Sequence, residues 1–243
     1  MQFAFSHNVI EKYQANYFLC DSCGFMNVAD PFWLEEAYEQ PINETDTGLL
    51  SRNIFLHKKI IVLVDKFLDS KKCYLDYAGG YGVFTRLMRD AGFNFYHQDL
   101  YTKNIFAKSY EYNKEIHNIS GITCFECLEH LIDPVLEIKK MLDITSNIFI
   151  TTDLKPMGIP DQNWHYYGFE HGQHISFFTL KSLNLLANKF DLNFYSEGNF
   201  HFLSKKKINI RKFRKYVKNA GRRKNMLSSK ALYEKISKRV SLT

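Results

Sequence analysis

A glycine-rich turn and an acid downstream of it have the types and spacing needed to bind a nucleotide. Gly79, Gly80 and Gly82 follow the short apolar run CYLDYA (73–78). Glycine allows close approach of the backbone to a ligand, because it has no Cβ. Asp99 ends the next strand-like run, 17 residues after Gly82. A carboxylate there can accept hydrogen bonds from both hydroxyls of a ribose, so this order of turn and acid predicts nucleotide binding.

A second group combines two carboxylates with an imidazole. Glu126, Glu129 and His130 form an ExxEH pattern, whose members share one face if the segment begins a helix. Such a set can hold a divalent cation, for which His171 or His174 offers a further ligand. A cation lowers the pKa of a bound alcohol, whereas a histidine can take the alcohol's proton directly. A structural role, in which Glu129 and His130 cap a helix and shape a cleft, also fits the pattern.

These residues lie at the ends of strand-like runs that alternate with helix-like runs. The predicted strands cover 73–78, 94–100, 121–126, 147–152 and 192–198. The predicted helices cover 54–68, 83–92, 134–143 and 179–190. Strands that alternate with helices of this length predict an α/β fold, with a mostly parallel sheet wrapped by helices.

Charge divides the chain into an acidic body and a basic tail. We expect three regions: an N-terminal segment (1–45), the α/β domain (46–204) and the tail (205–243). The tail has fifteen Lys or Arg and a single acid, whereas the remainder has 17 basic and 25 acidic residues. An overall content of 45% hydrophobic and 24% charged residues is ordinary for a soluble globular protein.

The tail predicts amphipathic helices that carry many cations. Ile210, Phe213, Val217 and Ala220 are spaced by 3, 4 and 3 residues. A similar apolar pattern follows at Leu232, Ile236 and Val240. Cationic helices of this kind lie on anionic membranes, pack against the body or a second subunit of a homodimer, or bind nucleic acid. We expect the membrane surface first and nucleic acid last of these.

The cysteines favour a reducing compartment. They are Cys20, Cys23, Cys73, Cys124 and Cys127. An odd number of scattered cysteines, with no signal-like N-terminal run, predicts reduced thiols in the cytoplasm. The CxxC at Cys20 and Cys23 is similar to half a zinc knuckle. Because structural zinc takes four ligands, we expect thiols that support a turn instead.

The string LDYAGGYGVFTRLMRDAGFNFYHQDL, followed by ITCFECLEHLIDP, closely resembles the class I S-adenosylmethionine-dependent methyltransferases. The resemblance covers about residues 73–204. It implies a Rossmann-like fold, with a mostly parallel seven-stranded sheet and helices on both faces. Ala78 stands where these enzymes usually have their first glycine, and we expect a negative φ there. The cofactor-binding residues that the resemblance implies are Asp76, Ala78, Gly79, Gly80, Gly82, Asp99, Leu100, Cys124 and Phe125.

Within this set, Asp76 would orient the amino group of the methionine. Cys124 and Phe125 would flank the cofactor, or else pack in the core. The ExxEH segment is similar to that of small-RNA 2′-O-methyltransferases and of ubiquinone-pathway O-methyltransferases. The resemblance implies a Mg²⁺ or Mn²⁺ site formed by Glu126, Glu129, His130 and His174. Without a cation, His130 and His174 would be the catalytic residues.

Two further segments, 35–53 and 164–183, resemble bacterial methyltransferases associated with surface-polysaccharide synthesis. This resemblance implies O-methylation of a sugar in a glycan or a nucleotide-sugar precursor, at the inner face of the membrane. Trp164, His165 and the tyrosines at 166 and 167 would then stack on the sugar. The alternatives are an RNA 2′-O-methyltransferase, an O-methyltransferase for a small aromatic or quinone acceptor, and an inactive binding scaffold.

Overall fold

The computed structural model describes residues 1–39 and 47–220 of the chain. The chain divides into two compact units, and each is described by itself. The first unit comprises Met1–Thr45 and Cys124–Lys206. The second unit comprises Asp46–Thr123 and Lys207–Thr243.

The first unit contains a small antiparallel sheet built mostly from the N-terminal segment. Its strands are β1 (Gln2–Val9), β2 (Tyr13–Leu19), β3 (Met26–Ala29) and β8 (Ser176–Phe177), in the order β1-β2-β3-β8. Residues i and i+2 of a strand line one face, and this face packs on an aromatic core in which Tyr17 and Phe177 are buried. The sequence predicted only a segment here, so the sheet is a feature that the structure adds.

The main sheet has six strands in the order β5-β4-β6-β7-β10-β9. Strand β4 pairs in parallel with β5 and β6, whereas β10 is antiparallel to β7 and β9. The predicted α/β fold with a Rossmann-like sheet is therefore confirmed. The strands are β4 (Cys73–Tyr77), β5 (Asn94–Gln98), β6 (Ile119–Phe125), β7 (Asn147–Thr151), β9 (Asn193–Glu197) and β10 (Phe200–Ser204).

The sheet has six strands rather than the predicted seven. Between β5 and β6, residues 101–118 form turns and one isolated β-bridge, which joins Glu111 to His97. This stretch is rich in charged and polar residues and has no apolar run of strand length, so it supplies no further strand. Strand β10, which the sequence pattern did not predict, follows β9 after the two residues Gly198 and Asn199.

Side-chain caps mark the starts of two helices of the described residues, α4 (Pro134–Leu142) and α5 (Leu180–Lys189). Before α4, the Asp133 carboxylate accepts a hydrogen bond from the Leu136 amide, and Pro134 occupies the first turn. Thr179 and Ser182 form a capping box at the start of α5. All four helices predicted in the α/β region are confirmed. The helices are α1 (Leu34–Ala37), α2 (Leu49–Phe67), α3 (Val83–Asp90), α4 (Pro134–Leu142), α5 (Leu180–Lys189) and α6 (Ile210–Ala220).

Helix α6 belongs to the second unit and packs against α2 through its apolar side. Phe213, Val217 and Ala220 are buried, and the ring of Phe67 on α2 lies 6.4 Å from that of Phe213. The predicted amphipathic helix is therefore present at 210–220, and the buried part of its apolar stripe packs against α2. In the described part of the chain, no helix has the length and apolar character needed to cross a membrane. The second predicted stripe, Leu232, Ile236 and Val240, lies outside the described residues.

Candidate active site

The glycine turn of the second unit follows β4, and its backbone requires glycine at two positions. Gly82 has a φ of +84°, and a Cβ there would lie 2.5 Å from Oδ1 of Asn104. A Cβ on Gly79 would lie 2.6 Å from the Asp76 carboxylate and 2.8 Å from the His97 ring. Side chains therefore pack tightly beneath the turn and leave its backbone as the surface that meets a ligand.

Ala78 lies in the left-handed region of the backbone, with a φ of +54°. The expected negative φ at this position is therefore wrong. The turn keeps the conformation that a glycine would adopt, although an L residue pays for it with a clash between Cβ and the backbone. The alanine is accommodated by strain and does not alter the path of the turn.

Asp76 is buried beneath the turn, where it binds two threonine hydroxyls. Thr85 donates to Oδ2 and Thr123 donates to Oδ1, both at 2.9 Å. Burial raises the pKa of Asp76 to about 6, although the threonine hydrogen bonds and the nearby His97 oppose that shift. This carboxylate fixes α3 and β6 to β4, and its predicted contact with the methionine amino group stays a prediction.

The Asp99 carboxylate closes the glycine turn through backbone amides. Oδ2 accepts from the Gly80 amide at 2.9 Å, and Oδ1 accepts from the amides of Tyr101 and Thr102 at 2.9 and 2.7 Å. A carboxylate oxygen accepts two hydrogen bonds, so Oδ2 retains capacity for a ribose hydroxyl. Leu100 is 75% exposed, and its predicted contact with the cofactor stays a prediction.

Two neighbouring residues that the sequence analysis did not single out complete this region. His97 is buried, and its Nε2 lies 2.8 Å from the Gly80 carbonyl, so it supports the turn from below. The Oε1 atom of Gln98 is buried and has no hydrogen-bond partner among the described residues. The alternation of β5, in which Phe95 and His97 share the buried face, is the signal that places His97 there.

The two remaining cofactor candidates lie in the first unit, at the end of β6. The Cys124 side chain is completely buried, and its thiol pKa is raised well above the usual value by a hydrogen bond with Cys127 and by burial. Core packing, one of the two expected roles, therefore fits Cys124 better. Phe125 is half-buried, with its ring 6.1 Å from that of Phe200.

A cluster of one carboxylate and two imidazoles forms in the first unit. The ligand atoms of Glu129, His130 and His174 all lie within 4.8 Å of one another. Glu129 and His130 belong to a single 3₁₀ turn, Leu128–His130, rather than to the predicted α-helix. His174 comes from the loop before β8, so the structure brings together residues that are more than 40 positions apart.

Hydrogen bonds to the backbone orient both imidazoles of the cluster. Nδ1 of His174 lies 2.6 Å from the Tyr166 carbonyl, and Nδ1 of His130 lies 3.1 Å from the Gln173 carbonyl. Nδ1 must donate in each pair, so Nε2 carries the lone pair that can accept a proton or bind a cation. The Tyr166 hydroxyl donates to Glu129 at 2.7 Å. Tyr166, which the sequence analysis placed in a stacking surface, thus orients two of the three cluster residues.

Burial and neighbouring charges shift the pKa values of the cluster. Burial and the nearby Glu126 raise the pKa of Glu129 to about 8, whereas burial and His130 hold the pKa of His174 well below its usual range. The second carboxylate oxygen of Glu129 is buried and has no hydrogen-bond partner among the described residues. A cation at this position would compensate a buried carboxylate that protein donors satisfy only on one side.

Glu126 does not join the cluster. Its backbone is left-handed, with a φ of +48°, and its amide donates to the Thr151 carbonyl at 3.2 Å. The prediction that Glu126, Glu129 and His130 share one helix face is wrong, because the chain bends sharply at Glu126 before the 3₁₀ turn. The structure therefore assembles three of the four predicted ligands.

The aromatic segment at 164–167 is mostly internal. Tyr166 and Tyr167 are buried, and Trp164 packs against Tyr167 and Phe177 with ring separations of 5.1 and 5.8 Å. The expectation that all four side chains offer stacking surfaces to a sugar is wrong, because most of them complete the aromatic core. Of the four, His165 alone is exposed.

Cys20 and Cys23 lie in the turn that joins β2 to β3, and both are free thiols. A hydrogen bond with Ser22 lowers the pKa of Cys20 to about 7. Burial raises the pKa of Cys23. Among the described residues, the group of three or more possible metal ligands does not include either cysteine.

A Rossmann-like sheet with a glycine turn closed by an acid is the arrangement of nucleotide-binding α/β domains. The model of the methyltransferase-domain family matches residues 52–197, which is more than half of the chain. The chain belongs to this family of methyltransferase domains. No curated protein matches the chain.

Several solved structures are similar to the chain at low sequence identity. One is CalO1, a methyltransferase in calicheamicin biosynthesis in an SAH-bound form, at 10% identity and a TM-score of 0.44; the match covers 71% of this chain and 59% of that one. Another is the plantazolicin methyltransferase BpumL with a triazolic desmethylPZN analogue and SAH, at 11% identity and a TM-score of 0.47, covering 79% and 84%. The chain thus spans about three fifths of the length of CalO1.

Proposed function

We propose that the protein transfers the methyl group of S-adenosylmethionine to a hydroxyl oxygen of its acceptor, with the cluster of Glu129, His130 and His174 activating that hydroxyl. The cluster is the observation that supports O-methylation in particular. Three oriented side chains whose possible ligand atoms lie within 4.8 Å of one another are more than a packing role requires. An inactive scaffold gives no reason to keep a buried carboxylate oxygen without a partner.

The reaction needs help with one proton. As the hydroxyl oxygen attacks the methyl carbon, the carbon–sulfur bond breaks and S-adenosylhomocysteine leaves. An alcohol is a poor nucleophile until its proton departs, so a group near the oxygen must favour that loss. A divalent cation at the cluster, Mg²⁺ or Mn²⁺, would lower the pKa of the alcohol, and two imidazole ligands favour Mn²⁺. Alternatively, the neutral Nε2 of His174 would accept the proton, since Nδ1 is occupied by the Tyr166 carbonyl.

The residues of the second unit bind and orient the cofactor. The backbone of the glycine turn would meet the cofactor, because protein side chains already fill the space where a Cβ of Gly79 or Gly82 would lie and hold the turn in place. Asp99 would accept a ribose hydroxyl at Oδ2, and the buried Oε1 of Gln98 would accept a further donor of the ligand. These roles need no proton transfer, so the two sets of residues divide binding from chemistry.

For the acceptor, we propose a sugar hydroxyl in a glycan or nucleotide-sugar precursor. The support is the resemblance of segments 35–53 and 164–183 to methyltransferases of surface-polysaccharide synthesis. His165 is the exposed member of the aromatic segment that can contact such a sugar. A ribose 2′-hydroxyl of RNA is the second candidate, because the cluster chemistry serves any vicinal hydroxyl and the chain has a cationic helix.

One set of reactions tests the acceptor. Methyl-labelled S-adenosylmethionine is incubated with nucleotide sugars, lipid-linked glycans, RNA and catechols in separate tubes. We expect label in the sugar fractions. Label in RNA alone, or in catechol alone, would replace the sugar proposal with the corresponding alternative.

A second set tests the cluster. Chelation should abolish transfer and Mn²⁺ should restore it, and His174→Ala should lose transfer in both conditions. His117→Ala, a change at an exposed histidine of the other unit, is the matched control. Transfer that resists chelation, is lost in His174→Ala and has a pH limb well below the usual imidazole pKa would identify His174 as a general base instead.

A further inference from the structure

Helix α6 presents a row of cations on the side opposite its buried stripe. Arg211, Arg214, Lys215 and Lys218 are all exposed, and their spacing of i, i+3, i+4 and i+7 places them on one helix face. At a rise of about 1.5 Å per residue, the row is about 10 Å long. No acid interrupts it, since residues 205–218 contain eight Lys or Arg and no Asp or Glu.

The opposite face is fixed inside the second unit. Phe213 and Val217 are between 0% and 2% exposed, and α2 covers them. The helix therefore cannot roll to present these side chains without losing part of the core. What it offers to a partner is a linear row of exposed cations, which we call the α6 cationic face (Arg211, Arg214, Lys215 and Lys218).

This geometry discriminates between the two anionic partners that such a face could bind. Stable attachment of a helix to a membrane combines cations with an inserted apolar face, and here the apolar face is already occupied. Nucleic-acid binding needs no apolar contact, because contacts between cations and phosphates supply the affinity. Two of the four residues are arginines, whose planar guanidinium matches phosphate oxygens in pairs.

We propose that the α6 cationic face binds the phosphodiester backbone of a nucleic acid. The four cations follow a line, as the phosphates of a strand do. The acidic balance of the chain outside residues 205–243 would repel a polyanion, which concentrates the attraction at this end of the sequence. The inference is independent of the methyl acceptor, because it concerns binding and not transfer.

Salt dependence of binding is the direct test. Affinity for a short fluorescein-labelled single-stranded RNA is measured by anisotropy at several salt concentrations. The wild type is compared with the fourfold variant R211Q/R214Q/K215Q/K218Q. Because it loses four phosphate contacts, the fourfold variant should have a slope of log K against log salt that is less negative than the wild-type slope by about 3. The matched control K139Q/K140Q/K181Q/K189Q removes four exposed cations from α4 and α5 and should keep the wild-type slope.

A parallel sedimentation with equimolar phosphatidylglycerol and phosphatidylcholine vesicles distinguishes the membrane. Weak vesicle binding by the wild type and by the fourfold variant, together with the altered RNA slope of the variant, supports the proposal. Vesicle binding that only the fourfold variant loses would overturn it in favour of a membrane surface. Equal RNA slopes for the variant and the control would also overturn it. Binding of S-adenosylmethionine, measured on the same proteins, should not change and reports separately on the cofactor site.

Discussion

Ala78 is a residue whose type conflicts with its backbone. Its φ of +54° costs an L residue about 1–2 kcal/mol, which glycine avoids. We predict that Ala78→Gly raises the free energy of unfolding by about 0.5–1 kcal/mol, after the greater flexibility of glycine in the unfolded chain is deducted. Urea denaturation followed by circular dichroism measures the change. Ala187→Gly, at a buried helical position of α5, should destabilise the protein instead, and a loss of stability in Ala78→Gly would contradict the left-handed turn.

Tyr166 acts on the cluster through its hydroxyl, which donates to Glu129 at 2.7 Å. We predict that Tyr166→Phe weakens Mn²⁺ binding by about 10–100-fold, because a hydrogen bond that orients a ligand is lost. Its carbonyl still orients His174, so the variant should fold and should keep its affinity for S-adenosylmethionine. Electron paramagnetic resonance of free Mn²⁺ gives the affinity. Tyr74→Phe, which removes a hydroxyl bonded to the Asp69 carbonyl in the other unit, should leave it unchanged.

Residue types and spacing predicted the glycine turn, Asp99 and three of the cluster residues. They did not predict that Tyr166 orients the cluster or that His97 supports the glycine turn, because each acts through a contact that depends on the fold. The left-handed backbone at Glu126 explains why this predicted ligand does not join the cluster. The ExxEH pattern presumes a regular helix, and one sharp bend removes its first member from the group that assembles around His174.

At the scale of elements, α6 is held to α2 by the side chain of Phe213. The ring is completely buried, and its centroid lies 6.4 Å from the ring centroid of Phe67. We predict that Phe213→Ala lowers the free energy of unfolding by about 3–5 kcal/mol, because it leaves a cavity between the two helices. Ile210→Ala, at a position 39% exposed, should cost far less in the same denaturation experiment. Equal, small effects would mean that α6 does not pack on α2.

Helix α2 also contains a buried histidine. Burial, with a smaller contribution from Lys58 that outweighs Asp90, lowers the pKa of His57 to about 4. Between about pH 6.5 and pH 4 the unfolded chain therefore binds the extra proton, so stability falls as the pH falls through this window. We predict that His57→Leu flattens this part of the curve by up to about 3 kcal/mol relative to wild type. Parallel urea titrations at pH 7 and pH 4.5 give the free energy of unfolding of both proteins. An equal loss of this free energy between the two pH values in the wild type and in His57→Leu would contradict the prediction.

Elements with strong periodicity were predicted well, whereas those defined by pairing were not. Helices α3, α4 and α5 carry caps and apolar faces that are visible in the sequence. The N-terminal sheet and β10 depend on partners elsewhere in the chain, such as β8, whose two residues are too few for a pattern. The buried face of α6 was visible as a stripe, but its partner α2 was not.

At the scale of the whole molecule, the proposal assigns binding and chemistry to different parts of the chain. Gly79, Gly82 and Asp99 belong to the second unit, and Glu129, His130 and His174 belong to the first. Glu129 and His130 follow β6 four and five residues after Phe125, whereas His174 comes from the loop before β8. Losses of cofactor binding and of methyl transfer should therefore be separable by mutation.

Calorimetric titration with S-adenosylmethionine, paired with transfer of its labelled methyl group, tests this account most directly. Gly79→Val adds a side chain at a position where even a Cβ would lie 2.6 Å from the Asp76 carboxylate. The turn must therefore shift, and the variant should lose S-adenosylmethionine binding. His174→Ala should bind the cofactor as the wild type does and transfer no methyl group. Thermal denaturation of both variants shows that they are folded. Normal binding by a folded Gly79→Val protein, or full transfer by His174→Ala, would contradict the account.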